Sequence, residues 1–241
     1  MRISRVYVEQ ELVVGDSIAF DQDRNHYLKH VLRLKPGAVV DLFNGSDGND
    51  YRATLTLDGK QLGADIESAT PKPTESSVDS TVIQALGRAD HMDWMIQKAT
   101  ELGVNRIAVF NAEHTQHPLK AKQLDKKLQH WRGVAISACE QCGRARIPTV
   151  EFNPDFAQTL QDNSADLKLL LHFEGESIAS LLRATSGSVA ILVGPEGGLS
   201  ENEIDTAASQ GYRKTTLGPR VLRFETAAIT ALAVHQTTHS R

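Results

Sequence analysis

The chain has two cysteines, Cys139 and Cys142, in 241 residues. That is too few for a disulfide framework, which excludes the small stapled secreted domains and agrees with a reducing compartment. No apolar run approaches the roughly 20 residues that a membrane-spanning helix needs. The start, "MRISRVYVEQ", has neither the apolar core nor the cleavage site of a signal peptide, so the expected location is the cytoplasm. There is no internal repeat and no low-complexity tract. What is present is a globular composition: 40% of residues are hydrophobic, enough to build the core of one large domain or two modest ones.

The formal charge of −4 is unevenly spread. Between His114 and Arg146 stand Lys120, Lys122, Lys126, Lys127, Arg132, Arg144 and Arg146 against Asp125 and Glu140, so a basic stretch is carried by an otherwise acidic protein. Such a stretch suits a specific polyanionic partner, and equally a solvated helix face.

"ATPKPTESS", Ala69 to Ser77, has two prolines and no period, and reads as a linker. Before it, "RISRVYV" alternates like a strand. "DRNHYLKHVLRL" places Tyr27, Val31 and Leu34 at helical spacing, and "YRATLTL", "DG" and "KQLGADIE" make a hairpin. Residues 1–70 are therefore expected to form a small, mostly β unit of the barrel type. From residue 74 to 241 strands alternate with helices: "STVIQAL", a helix over Asp90 to Leu102, "RIAVF", a long helix from about Ala121, then "LKLLLH", "SVAILV" and "YRKTTL" with helices between. This is an α/β pattern and predicts a mostly parallel sheet with helices on both faces.

The stretch "ILVGPEGGLSENEI", Ile191 to Ile204, runs from a strand through a glycine loop into a helix, where open parallel sheets hold their ligands. No Lys-Ser/Thr follows the glycines, and the spacing is not that of a dinucleotide loop. Ser200 and Glu203 form a capping box that uses up the helix's own amide donors, and Glu196, Glu201, Glu203 and Asp205 crowd the place a phosphate would take. The loop thus suits a neutral or cationic ligand. A second loop, "LGPRVLRFETAA", carries Arg220 and Arg223, and neighbouring strands are expected to bring it beside the first. An acidic loop beside a basic one fits a sulfonium cofactor, S-adenosylmethionine, next to an anionic substrate, RNA.

These residues carry a resemblance. "IQKATELGV" (Ile96 to Val104), "CEQCGR" (Cys139 to Arg144), "LVGPEGGLSENEI" (Leu192 to Ile204), "LGPRVLRFETAA" (Leu217 to Ala228) and "HVLRLKPG" (His30 to Gly37) together resemble the SPOUT-class methyltransferases. Within that class they are similar to the family that methylates N3 of a uridine in 16S rRNA near the decoding centre. The resemblance spans nearly the whole chain. It implies a SPOUT-type parallel sheet with a C-terminal trefoil knot in residues 74–241, a PUA-like β-barrel in residues 1–70, and a homodimer formed through the knot region. It also implies S-adenosylmethionine held by His172, Val193, Gly194, Pro195, Glu196, Gly197, Gly198, Leu217, Gly218, Arg220, Val221 and Leu222.

For the chemistry the candidates are Arg220, Arg223 and Glu225, the last either as base or as a group orienting an arginine; a plain acid in the first turn of the last helix is the other reading. For RNA they are Arg2, Arg5, Lys29, Arg33, Arg88, Lys98 and Arg144, each equally readable as a solvated charge. Relatives commonly carry a permanent cation where this chain has His91 and His114. If those two touch RNA, binding should strengthen as pH falls from about 7.5 to 6. His114-x-x-His117 with Cys139-x-x-Cys142 has the composition of a zinc site, but the cysteines fall in a helical pattern, and no metal is expected. Two other functions fit less well: a silent RNA-binding assembly protein, and a SPOUT enzyme acting on tRNA or a ribose 2′-hydroxyl.

Overall fold

The structure is a computed structural model and describes residues 3–239. The chain divides into two compact units. The first runs to Glu75 and takes in Cys139–Ile147; the second comprises Ser76–Ala138 and the chain from Pro148 onward.

In the first unit the strands are β1 (Ser4–Tyr7), β2 (Ser17–Ala19), β3 (Val39–Phe43), β4 (Asn49–Asp58) and β5 (Gln61–Pro71). They form one sheet in the order β1-β3-β4-β5-β2, parallel at β1–β3 and antiparallel elsewhere. Alternate residues of the β4–β5 hairpin, Ala53, Leu55, Leu62, Ala64 and Ile66, turn inward onto Val6, Leu28, Val40 and Leu42. β5 continues through Ala69 and Thr70, so the proline-containing segment expected to be a linker begins as strand. The expected helix is also different. A short α1 (Gln22–His26) passes into a π-helical turn over Tyr27–Val31, closed by Leu32 N–H donating to Tyr27 O at 3.0 Å. The wider turn rotates the face, so that Leu28 is buried and Val31 is left 60% exposed, not packed with Tyr27 and Leu34.

The second unit is a six-stranded, wholly parallel sheet in the order β11-β9-β10-β6-β7-β8. Its strands are β6 (Ser80–Ala85), β7 (Arg106–Phe110), β8 (Thr149–Phe152), β9 (Leu167–Ser177), β10 (Val189–Val193) and β11 (Arg213–Thr216). The helices are α2 (Ala89–Glu101), α3 (Ala121–Cys142), α4 (Phe156–Gln161), α5 (Ile178–Arg183), α6 (Glu201–Ser209) and α7 (Phe224–His239). Every residue of β10 is buried, as a central parallel strand covered on both faces requires. Of the apolar stripe that the sequence predicts for α2, Met92, Met95, Ile96, Ala99 and Leu102, the first four are fully buried and Leu102, just past the helix end, is part-exposed; α2 packs on α7. Among the described residues no helix is long and apolar enough to cross a membrane.

The strand order fixes where a ligand can go. The chain lays β6, β7 and β8 outward in one direction, crosses to the other side for β9, and inserts β10 between β9 and β6. At such a reversal the loops leaving the strand ends diverge and leave a crevice.

Candidate active site

A cavity of about 540 Å³ opens at the carboxyl ends of β10 and β11 and beside the middle of β9. That is within the usual size of a small-molecule site. Its walls come from Leu170 to Phe173, from Val193 to Leu199, from the chain between Thr215 and Phe224, and from Ala227. The two glycine-bearing loops meet here, although not because their strands are neighbours: β9 lies between β10 and β11, which corrects the expected adjacency.

The wall from β9 is made by an irregularity. β11 pairs Lys214 with Leu170 and then Thr215 with Glu176, so Leu171–Gly175 leaves the ladder and carries His172 and Phe173 to the cavity. Gly175 permits this. Its φ is 145°, and a Cβ there would lie 2.5 Å from the Lys214 carbonyl oxygen. Gly218 works differently: at φ 117° it turns the chain after β11, and a Cβ on it would meet nothing within 4 Å, leaving bare backbone on the cavity wall.

All the residues expected to hold the cofactor, from His172 through Gly194 to Leu222, line this cavity, and Arg223 lines it too. Arg220 and Arg223 are exposed, and neither makes a side-chain hydrogen bond or ion pair among the described residues. Glu225 is not in the wall. It is buried one residue beyond Phe224, with Oε2 at 3.6 Å from His91 Nδ1. His91 therefore turns Nδ1 inward, toward Glu225. His114 supports the glycine loop: its Nδ1 lies 3.1 Å from Gly198 O, and its Cβ would be 3.2 Å from a side chain at Gly197.

Phosphate is excluded at α6 by the chain itself. Ser200 Oγ accepts from Glu203 N at 3.3 Å, Glu203 Oε2 accepts from Ser200 N at 2.9 Å, and Glu203 Oε1 accepts from Glu113 N at 2.9 Å. Two amides at the helix start are thus taken by its own side chains, and the carboxylates of Glu201 and Glu203 in its first turn repel a further anion. Glu196 supplies negative charge at the cavity and accepts from Arg88 N at 3.3 Å through Oε1. A largely apolar hollow with bare glycine backbone and the Glu196 carboxylate on one wall, edged by Arg220 and Arg223 on the other, fits a cationic nucleoside such as S-adenosylmethionine beside an anionic substrate.

The residues proposed from sequence for RNA divide. Arg88 has a 65% exposed side chain, 3.5 Å from Asp90. Lys98 is drawn to Glu101 at 2.7 Å and lies 4.9 Å from the Trp94 ring centre. In the first unit Arg33 is exposed at φ 54°, and Lys29 Nζ donates to Lys60 O. Arg5 and Arg144 are a correction, because their forks are already committed. Arg5 binds Asp50 at 2.6 Å and the carbonyls of Cys139 and Arg144 at 2.6 and 3.2 Å, over the ring of Phe43; Arg144 binds Glu75 at 2.6 Å and is 3% exposed. Arg2 lies outside the described residues.

The "CEQCGR" motif likewise builds the first unit from within. Glu140 Oε1 accepts from Tyr7 N at 3.0 Å and from Arg24 at 3.1 Å. Cys139 is buried, and burial pushes its thiol up to about 12, which makes it unsuitable as a thiolate. No short-range signal in the sequence shows this allegiance; only the partners 130 residues away define it.

The fold and cavity are those of an RNA methyltransferase, and residues 74–236 match the family model described as RNA methyltransferase domain, with residues 20–67 matching the RNA methyltransferase PUA domain. The whole chain has close counterparts. Ribosomal RNA small subunit methyltransferase E of Rickettsia conorii is 32% identical over 242 residues, 97% of this chain and 95% of that one, and its namesake in Buchnera aphidicola subsp. Schizaphis graminum is 30% identical over 237 residues, 98% and 96%. Among solved structures, a Legionella pneumophila methyltransferase with bound SAM superposes with a TM-score of 0.93 at 34% identity, covering 98% of each chain. Ribosomal RNA small subunit methyltransferase E of Neisseria gonorrhoeae, bound to S-adenosyl methionine, gives 0.89 at 32%, again over 98% of each. The chain belongs to the ribosomal RNA small subunit methyltransferase E family.

Proposed function

We propose that this protein transfers a methyl group from S-adenosylmethionine to N3 of one uridine of 16S rRNA in the small ribosomal subunit. The observation that carries the reading is the cavity: the Gly194–Gly198 and Leu217–Arg223 loops and the His172 excursion close around one hollow with unpaired arginines at its edge. The cofactor, held by the wall residues from His172 through Val193–Gly198 to Leu217–Leu222, supplies the methyl group on a positively charged sulfur. The protein must deal with the nucleobase.

Uracil N3 carries a proton and is a poor nucleophile until it is lost, and negative charge then spreads to O2 and O4. Arg220 and Arg223, at the cavity, are the candidates to hold those oxygens or the flanking phosphate, and Glu225, buried one residue beyond Phe224, is the candidate base or the acid that orients an arginine. Because N3 lies on the Watson-Crick edge, a paired target must be unstacked first. Arg88, Lys98, Lys29 and Arg33 are the remaining candidates to grip RNA. The insertion of β10 between β9 and β6 before β11 returns to β9 is consistent with the trefoil knot. Val221 and Phe173, 91% and 72% exposed at the same end of the sheet, support a homodimer that covers them. A cytoplasmic site of action follows from the substrate.

The test is incubation with labelled S-adenosylmethionine and small subunits lacking the modification, followed by mass mapping of the RNA. Label on N3 of a single uridine near the decoding site is expected. Cofactor binding without transfer to subunits, free rRNA or tRNA would replace the enzyme by an RNA-binding assembly protein, and label on tRNA or on a ribose would change the substrate.

A further inference from the structure

The basic stretch that the sequence singles out, from His114 to Arg146, is divided by the structure. Arg144 and Arg146 belong to the first unit, Lys127 lies 3.9 Å from Asp93 and 5.2 Å from the Trp131 ring centre, and Arg132 is likewise engaged. Lys120, Lys122 and Lys126 remain. All three are exposed, and none makes a side-chain hydrogen bond or ion pair among the described residues. Local bonds place them. Leu119 N donates to Asn111 Oδ1 at 3.0 Å and Asn111 Nδ2 donates to Leu119 O at 3.3 Å, so the chain that leaves β7 at Phe110 is drawn back to its starting point before α3 begins. Lys120 and the first turn of α3 therefore stand at the carboxyl end of β7. In this parallel sheet that is also the end of β10 where the cavity opens, two strand spacings away, or about 10 Å. Between its closed ends the loop is fastened to the structure around the cavity: Glu113 N donates to Glu203 Oε1 at 2.9 Å, and His114 Nδ1 lies 3.1 Å from Gly198 O.

Lys122 and Lys126, four residues apart, share one face of α3 within about 6 Å of rise, and the first two turns of the helix set a single acid, Asp125, against them. In strand order Arg220 and Arg223 come from the loop after β11 and the lysines from the loop after β7, with the glycine loop after β10 between them. A polyanion crossing the mouth of the cavity meets free cations on both sides. We infer that Lys120, Lys122 and Lys126 bind backbone phosphates of the RNA strand flanking the target uridine, on the side of the glycine loop away from Arg220 and Arg223. This rests on the reading of the site as a uridine methyltransferase of ribosomal RNA. An ammonium is a point charge on a flexible stem, so these contacts hold the strand in place and leave its bases unread.

The test uses the full-length protein and small subunits lacking the modification, with binding measured from about 50 to 200 mM salt. Lys120→Gln, Lys122→Gln and Lys126→Gln together should make the slope of log affinity against log salt shallower by about two to three, and weaken binding about 10- to 100-fold at the low-salt end. S-adenosylmethionine affinity should stay at the wild-type value, and KM for subunits should rise by far more than kcat falls. Lys120→Arg, Lys122→Arg and Lys126→Arg together should restore the slope. Lys122→Gln alone should lower it by about one, which keeps the prediction apart from the folding of the triple variant. A folded triple glutamine variant with the wild-type slope and affinity overturns the inference. So does one whose slope is unchanged while its sedimentation shifts, because the lysines would then belong to a contact with a second copy of the chain. Wild-type protein that labels no uridine N3 overturns the reading beneath; if its salt slope still falls when the three lysines are replaced, the RNA contact stands without that reading.

Discussion

The two units use arginine in opposite ways. In the first, Arg144 is buried with Nε and Nη2 on Glu75, and the largely buried fork of Arg5 is met by Asp50 and the carbonyls of Cys139 and Arg144. In the second, Arg220 and Arg223 stand exposed beside the cavity with no side-chain partner among the described residues. A guanidinium built into a fold has no donors left for a ligand, whereas one left unpaired at the edge of a hollow costs the fold almost nothing and is available to an anion. Charge alone therefore does not mark an RNA surface; commitment does.

The sharpest way to break this comparison is Arg5→Ala. It strands the buried Asp50, which keeps only Lys72 at 3.2 Å, so a loss of about 3 to 5 kcal/mol is expected in urea unfolding. A loss below about 1 kcal/mol would show that the network is ornamental.

The next effect belongs to pH. His235 on α7 is fully buried with neither ring nitrogen bonded; burial, helped by the neighbouring His239, lowers its pKa to about 4. The unfolded chain binds this proton near 6.5, so the folded state is favoured fully above about 6.5 and the gain is lost as pH falls toward 4, about 3 kcal/mol in all. Unfolding measured between pH 4 and 7 should show that slope, and His235→Leu should flatten it.

Third comes Glu203→Ala, which frees the amides of Ser200 and Glu113 and should cost about 1 to 2 kcal/mol. The smallest stability effect is the most telling for the comparison. Arg223→Ala should leave stability within about 0.5 kcal/mol, yet lower the slope of log RNA affinity against log salt by about one.

What the sequence showed and hid follows the range of the interactions. The buried run of β10, the stripe on α2 and the Ser200–Glu203 capping box are written within a few residues, and each stands where the pattern put it. β8 and α4 passed unnoticed because "TVEF" is a four-residue edge strand with no alternation in burial and "FAQTLQ" is too short to show a period. The order of the strands was not legible either, so the glycine loops were brought together by the wrong route. His172 could be named but not its means of reaching the cavity, since the excursion at Leu171–Gly175 exists only in the register with β11. For the candidate site, the two loops were readable as motifs, while the pairing of His91 with Glu225 joins helices 134 residues apart and could not be read from either.

The same distance governs the first unit during synthesis. Arg5 and Tyr7 leave the ribosome early, but the Cys139 carbonyl and the Glu140 carboxylate they bind come more than 130 residues later. At a translation rate of about 5 to 20 residues per second, the amino-terminal unit waits roughly 7 to 26 seconds with its partners missing while the start of the second unit is already being made. Of the two units the one begun earlier is thus completed only from within the other's stretch of chain, and a truncated message ending before Ile147 encodes neither unit whole.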